Sequence, residues 1–175
     1  MAAMKNRTPN RQQGMTLLEL MMAISVLGIL TALAVPSFRD YTSNARVTSS
    51  INGVVSALAL ARSEALRRSA VTRVCASVDL ATCSASTNWV SGWLVFVDND
   101  NDGAVSANEL IQSWPALAGG MIATGTVDRV SYNTMGMVTA ATTFNFVPPN
   151  CTGNRQGQTI VSVSGNVQSS KIACP

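Results

Sequence analysis

The pattern of apolar and polar residues distinguishes one long apolar segment near the amino terminus. Residues 15–35 form an apolar run, MTLLELMMAISVLGILTALAV, in which Glu19 is the one charged residue. Twenty-one residues in helical conformation span about 31 Å, close to the thickness of the hydrocarbon core of a bilayer. The pattern therefore predicts a membrane-spanning helix over 15–36.

After Pro36 the chain becomes polar but keeps a helical period. Apolar residues recur three or four positions apart on one stripe, and arginines lie off it. The stripe consists of Val47, Ile51, Val54, Leu58, Ala61 and Ala65. We expect one helix from about Thr16 to about Ser69, kinked at Pro36, whose second half, 37–69, packs on a folded head.

From residue 70 onward, short runs of β-branched and aromatic residues alternate with Gly, Asn and Pro, which is typical of strands and turns. The predicted strands are Trp93–Val97, Leu110–Trp114, Arg129–Tyr132, Thr142–Val147 and Thr159–Val163. Phe144 and Phe146 share one face and are expected to cover the helix stripe. The order of elements predicts an α+β fold, in which the β-rich head, 70–175, forms an antiparallel sheet wrapped on the helix.

The charges are distributed unevenly along the chain. The net charge of +3 is supplied by residues 1–14, which hold Lys5, Arg7 and Arg11 and no acid. The positive-inside rule places such a leader in the cytoplasm and the head across the membrane. From Val71 onward, four basic and six acidic residues give a charge of −2, which does not favour nucleic-acid binding.

The composition argues against catalysis. The chain has no His, the commonest general base and metal ligand, and its acids gather in one turn rather than across a cleft. We therefore expect no enzymatic activity and no required cofactor. The four cysteines allow three pairings, of which we favour the two local ones, Cys75 with Cys83 and Cys151 with Cys174.

Glu19 is the exceptional residue of the apolar run. A carboxylate at mid-bilayer costs about 2.5–3.5 kcal/mol on insertion scales, and less near the edge. Nothing else within this helix can neutralise it. Its counter-ion is therefore expected from another molecule or from a freed α-amino group, and this implies assembly.

The segment from Gly14 to Leu20, GMTLLEL, resembles the class III signal of type IV prepilins and type II secretion pseudopilins. The resemblance implies that residues 1–14 are a leader, which a prepilin peptidase removes between Gly14 and Met15 before it N-methylates Met15. Glu19 then becomes the fifth mature residue, and Pro36 falls at the helix-kinking proline of the family. One departure is Met15, because the first mature residue of the family is usually Phe.

Two head motifs resemble H-type pseudopilins and related minor pilins: ARSEA at 61–65 and GWLVFVD at 92–98. The resemblance implies a pilin fold, a single-pass bacterial inner-membrane precursor with a periplasmic head, and then a filament of pilin or pseudopilin subunits built on an inner-membrane platform. It favours a minor pilin that primes a type IV pilus serving adhesion, twitching or DNA uptake. The alternative is an H-type pseudopilin of type II secretion, which acts in protein export.

The segment 98–109, DNDNDGAVSANE, fits the twelve-residue calcium-loop pattern, with Gly103 at the sharp turn. The oxygen ligands are expected from Asp98, Asp100, Asp102, Ala104, Ser106 and Glu109. The alternative is an Asn/Asp/Gly-rich hairpin turn without metal. The sequence leaves both interpretations open.

DNA binding is a further alternative, because some minor pilins of this kind bind DNA. Those proteins carry a Gly-Arg-x-Arg stretch near the carboxyl terminus, where this chain has GNVQ at 165–168 and lacks both arginines. Arg155 and Lys171 are the remaining candidates for contact with phosphates. The sequence does not favour this function.

Overall fold

The computed structural model describes residues 14–106 and 108–175, apart from the side chains of 32–37 and 39. The predicted leader lies outside the described residues except for Gly14. One helix, α1 (Leu17–Arg68), precedes eight strands. The strands are β1 (Val71–Ala76), β2 (Trp93–Asp98), β3 (Leu110–Trp114), β4 (Ile122–Gly125), β5 (Arg129–Tyr132), β6 (Thr142–Val147), β7 (Gln156–Val161) and β8 (Val167–Ile172).

The strands form two antiparallel sheets rather than the one expected. Sheet A has the order β3-β2-β1-β5, and sheet B has the order β4-β6-β7-β8. The α+β prediction is confirmed. The sequence missed β1, β4 and β8, because β8 (VQSSKI) is polar, β4 has four residues, and β1 follows the helix after two residues.

The chain forms two compact units with a boundary between Asp40 and Tyr41. In the first unit, α1 begins with a capping arrangement, since Thr16 Oγ1 accepts a hydrogen bond from the Glu19 amide at 3.2 Å. The large apolar side chains of this unit that the structure describes, such as those of Leu17 and Leu27, are exposed in the single chain. Such a surface marks a contact with lipid or with other chains.

In the described part of the chain, no helix combines the length and hydropathy needed to cross a membrane. Within the predicted span, 15–36, the side chains of residues 32–36 lie outside those that the structure describes. Pro36 lies within α1, and the kink expected there stays a prediction.

The second unit is built around the predicted stripe of α1. Val47, Val54, Leu58, Ala61 and Ala65 are fully buried, and they share one core cluster with residues of both sheets. Burial of an apolar side chain contributes about 1.5–3 kcal/mol for a residue of the size of Val or Leu. The prediction that this stripe packs on the head is confirmed.

Aromatic residues of sheet B complete this core. Phe144 and Phe146 are buried in the cluster that contains the helix stripe, as predicted. Phe144 makes an edge-to-face contact with Trp89, with ring centroids 4.8 Å apart, and the Trp89 indole donates to the carbonyl of Val127 at 3.1 Å. The indole is thereby satisfied although its ring is buried.

Two disulfides close the head. Cys75 is bonded to Cys83, and Cys151 to Cys174, which are the two local pairs favoured from the sequence. The second bond holds the end of the chain after β8, where the Cys174 amide also donates to the carbonyl of Gly153 at 2.9 Å. Termini fray unless they are tied down in this way.

Gly157 of β7 lets the helix approach sheet B closely. A Cβ at this position would lie 2.7 Å from Cδ1 of Ile51 and 2.8 Å from Cγ1 of Val47. We therefore expect Gly157→Val to destabilise the protein by about 1–3 kcal/mol through overpacking. Thermal unfolding measures the effect, with Ile160→Val on the exposed face of the same strand as the control. Equal melting temperatures for the two variants would contradict the close packing.

Candidate functional site

The amino-terminal candidate site lies in front of α1. Gly14 and Met15 precede the helix and belong to no helix or strand, and Met15 is 65 % exposed. Apart from chain neighbours, no described atom lies within 4 Å of the position that a Cβ on Gly14 would take. Cleavage between Gly14 and Met15 stays a prediction, and the described residues place nothing close to the Gly14 Cβ position.

Glu19 lies in the first turn of α1. Its side chain is exposed in the single chain, and it forms no salt bridge within the described residues. A carboxylate in the first turn is favoured by the helix dipole, which gives about 0.3–1 kcal/mol at an exposed position. That contribution is smaller than the cost of a carboxylate at mid-bilayer, and the counter-ion expected from another molecule or from a freed α-amino group stays a prediction.

The acidic loop between β2 and β3 is the second candidate site. Asp98, Asp100 and Asp102 each place one carboxylate oxygen within 4.8 Å of the others. Asp98 is buried, and the other two are exposed. Val105 anchors the loop by packing against Leu94 and Phe96 on the outer face of sheet A. The loop thus brings together three of the six predicted ligands.

Of the remaining predicted ligands, Glu109 has both carboxylate oxygens engaged within the loop. Glu109 is 4 % exposed, and its two oxygens accept the amides of Asn99 at 2.8 Å and Ser106 at 3.2 Å. These hydrogen bonds, above all that from Asn99, lower the pKa of Glu109. The Ala104 amide donates to Asp102 Oδ1 at 2.7 Å, as in an Asx turn. Glu109 therefore stabilises this conformation of the loop by accepting hydrogen bonds from two of its amides.

Arg73 of β1 is a contributor that the sequence analysis missed. Its Nε lies 2.6 Å from Oδ2 of Asp98, and its Nη atoms donate to Asn101 and Ser131, both at 3.2 Å. The signal available in the sequence was a charged residue inside an apolar strand. Because Arg73 pairs with the first carboxylate of the loop, a metal ion at Asp98 has to compete with a guanidinium.

The two residues considered for DNA contact have local partners. Arg155 donates through Nε to the carbonyl of Thr152 at 2.9 Å, and Lys171 Nζ lies 3.5 Å from Oδ1 of Asn44. Lys171 lies in β8, opposite Gly157 in the register of β7. The low density of basic residues in this region gives no support to DNA binding.

Two family models match the chain. Residues 50–166 match the model described as type II transport protein GspH, and residues 9–35 match the prokaryotic N-terminal methylation motif. The chain belongs to the GspH family. The resemblance to type IV pilin-like proteins, and to the H type within them, is thereby confirmed.

Curated relatives of this GspH-family chain match at the amino terminus. A fimbrial protein of Pseudomonas aeruginosa is 44 % identical over 55 residues, which are 31 % of this chain and 35 % of that protein. The type IV major pilin protein PilE1 of Neisseria gonorrhoeae is 50 % identical over 40 residues, 23 % of this chain and 24 % of that protein. The chain thus spans about a third of the length of the first of these relatives.

Solved structures resemble the fold of this GspH-family chain. The type IV minor pilin FimU of Pseudomonas aeruginosa aligns with a TM-score of 0.60 and 18 % identity, covering 74 % of this chain and 92 % of FimU. The minor pseudopilin EpsH of the type 2 secretion system of Vibrio cholerae aligns with a TM-score of 0.52 and 15 % identity, covering 72 % and 97 %. The predicted pilin fold is therefore confirmed.

The calcium interpretation of the acidic loop stays a prediction, and it has a direct test. It predicts that Ca²⁺ added after treatment with a chelator gives a binding heat in calorimetric titration, and that Asp98→Ala abolishes this heat. Asp128→Ala, which changes an acid outside the loop, is the control and should bind as the wild type does. If the wild-type protein gives no binding heat at millimolar Ca²⁺, the loop is a hairpin turn without metal.

Proposed function

We propose that this GspH-family protein is a minor pilin of a type IV pilus, a structural subunit that enters or primes the filament. The observation that carries the proposal is the amino-terminal segment, which matches the methylation motif over 9–35 and leads into a helix with exposed apolar side chains. The FimU-like fold of the head supports the same role. Processing by a prepilin peptidase and assembly on an inner-membrane platform belong to the proposal.

The proposed mechanism is an ion pair between subunits. After cleavage, the α-amino group of Met15 on one subunit donates a charge-assisted hydrogen bond to Glu19 of its neighbour. The pair offsets the desolvation of the carboxylate and sets the axial register between helices, while the apolar side chains of α1 pack in the filament core. The chain is anchored in the inner membrane before assembly, with its disulfide-bonded head in the oxidising periplasm.

A second candidate function is that of an H-type pseudopilin in type II secretion. It is favoured by the description of the matching family model and by the fold of EpsH. Deletion of the gene separates the two: loss of surface pili with intact export of secreted proteins supports the pilus role, and the reverse supports secretion. In both roles the protein acts as a filament subunit without catalysis.

Processing depends on the residue before the cleavage site. We expect Gly14→Val to leave the full-length precursor in the membrane, because the added side chain blocks access of the peptidase to the peptide bond. Mass spectrometry of the intact protein measures the retained leader. Gly28→Ala is the control, since it alters a glycine within α1, away from the cleavage site, whose surroundings are equally open. Normal cleavage of Gly14→Val would contradict the proposed site.

Assembly depends on the acid in the first helical turn. We expect Glu19→Ala to be cleaved and methylated normally but to reduce incorporation into filaments by at least tenfold, which corresponds to about 1.4 kcal/mol. Quantification of the protein in sheared filament and membrane fractions measures this. Glu64→Ala is the control, because Glu64 pairs with Arg67 and Arg68 on its own helix. Incorporation of Glu19→Ala at the wild-type level would refute the ion-pair mechanism.

A further inference from the structure

The outer edge of β8 is an unpaired sheet edge. β8 is the last strand of sheet B and pairs with β7 alone. Its six residues contain no proline, and their pairing with β7 has no register shift. Its middle four residues, 168–171, are exposed.

The outer edges of the other sheet-edge strands are covered or irregular. The segment 87–89 bonds to β4, and Tyr132 of β5 bridges to Val138. β3 pairs with β2 through a register shift between Val95 and Phe96. Such covers and bulges protect sheet edges from further pairing. Within the described residues, the outer edge of β8 has neither a covering segment nor a register shift.

The hairpin between β7 and β8 determines which backbone groups point outward. The amide of Ser162 donates to the carbonyl of Asn166 at 2.9 Å. In an antiparallel pair, hydrogen-bonded and non-bonded positions alternate, so residues 168, 170 and 172 bond to β7. The amide and carbonyl groups of Val167, Ser169 and Lys171 therefore point away from β7, and they have no backbone partner in the described chain.

Two cavities lie along this edge between α1 and β8. One, of about 490 Å³, is lined by Lys171 and by polar residues of α1 such as Asn44 and Thr48. The other, of about 330 Å³, is lined by Val167, by apolar residues of α1 such as Leu58 and Leu66, and by Arg62, whose guanidinium donates to the carbonyls of Gly165 and Ser164. The described linings include no carboxylate, and the hydrogen-bond partner of Lys171 among the described residues is the amide oxygen of Asn44. The edge thus offers the Lys171 cation at one end and, at the other, apolar side chains beside an arginine that is engaged by backbone carbonyls.

We propose that β8 is a docking site for an extended segment of another protein chain, which adds to sheet B as a fifth strand. Main-chain hydrogen bonds to Val167, Ser169 and Lys171 supply affinity. A carboxylate of the segment lies opposite Lys171, and an apolar side chain four residues away lies opposite Val167. The site uses contacts of the head alone, so it goes beyond the proposed function and does not depend on it.

The probe is a fluorescein-labelled peptide of seven residues, Thr-Glu-Thr-Thr-Thr-Val-Thr, together with its reversed sequence, because the added strand can run in either direction. Fluorescence anisotropy with the full chain in detergent micelles measures binding. We expect Ser169→Pro to weaken binding by about tenfold, because it removes the central outward amide. Proline is tolerated where the amide does not bond within the sheet, so the head should remain folded.

Ser169→Ala is the matched control for this variant. It removes only the hydroxyl, which lies 3.0 Å from Oγ1 of Thr159, and should bind within twofold of the wild type. A charge exchange is the independent measurement. Lys171→Glu should bind the Glu peptide more weakly than the wild type does, and it should bind more strongly a peptide in which Lys replaces that Glu. Arg155→Glu, which changes a cation of the head outside β8, should still prefer the Glu peptide to the Lys peptide.

Three results of the binding measurements would overturn the proposal. They are equal binding by Ser169→Pro and Ser169→Ala, unchanged peptide preference in Lys171→Glu, and absence of binding of both peptides at millimolar concentration. Self-association of the wild type in sedimentation that Ser169→Pro abolishes would also overturn it, because the occupant of the edge would then be a second copy.

Discussion

The fold of the head depends on one apolar stripe of α1. Val54, Leu58 and Ala61 are buried in a cluster that includes residues of both sheets, so the helix is the surface on which both sheets form their common core. Gly157 brings β7 close to this stripe, because any side chain there would occupy the space of Val47 and Ile51. The two sheets share no strand, and the stripe of α1 contributes to the core that is common to both.

The same helix creates the demand for assembly. Beyond its capping hydrogen bond, the described first part of α1 exposes apolar side chains and one carboxylate without a counter-ion in the described chain. Membership of the pilin-like family implies assembly with other pilin subunits, and such contacts remove exposed apolar side chains from solvent. The pairing of Glu19 with a neighbouring amino terminus belongs to the proposed mechanism.

Much of this architecture could be predicted from the sequence, because it depends on periodic patterns. The stripe of α1, the strand with Phe144 and Phe146, and the methylation motif are all recognisable from spacing or from a short motif. The division into two sheets was not predicted, since strand pairing between distant segments is determined by tertiary context, and the polar edge strand β8 was missed altogether. Arg73 was missed for a related reason: its partner Asp98 is 25 residues away, and only the antiparallel register of β1 and β2 brings them together.

The disulfide between Cys151 and Cys174 has a consequence for the order of events in the life of the chain. It encloses β7 and β8 in one covalent loop whose two cysteines are 23 positions apart. Where thiols are kept reduced, this loop stays open and the last strand is held by its ladder to β7 alone. Under the localisation proposed above, the outermost strand acquires this final restraint only after its cysteines reach the oxidising periplasm.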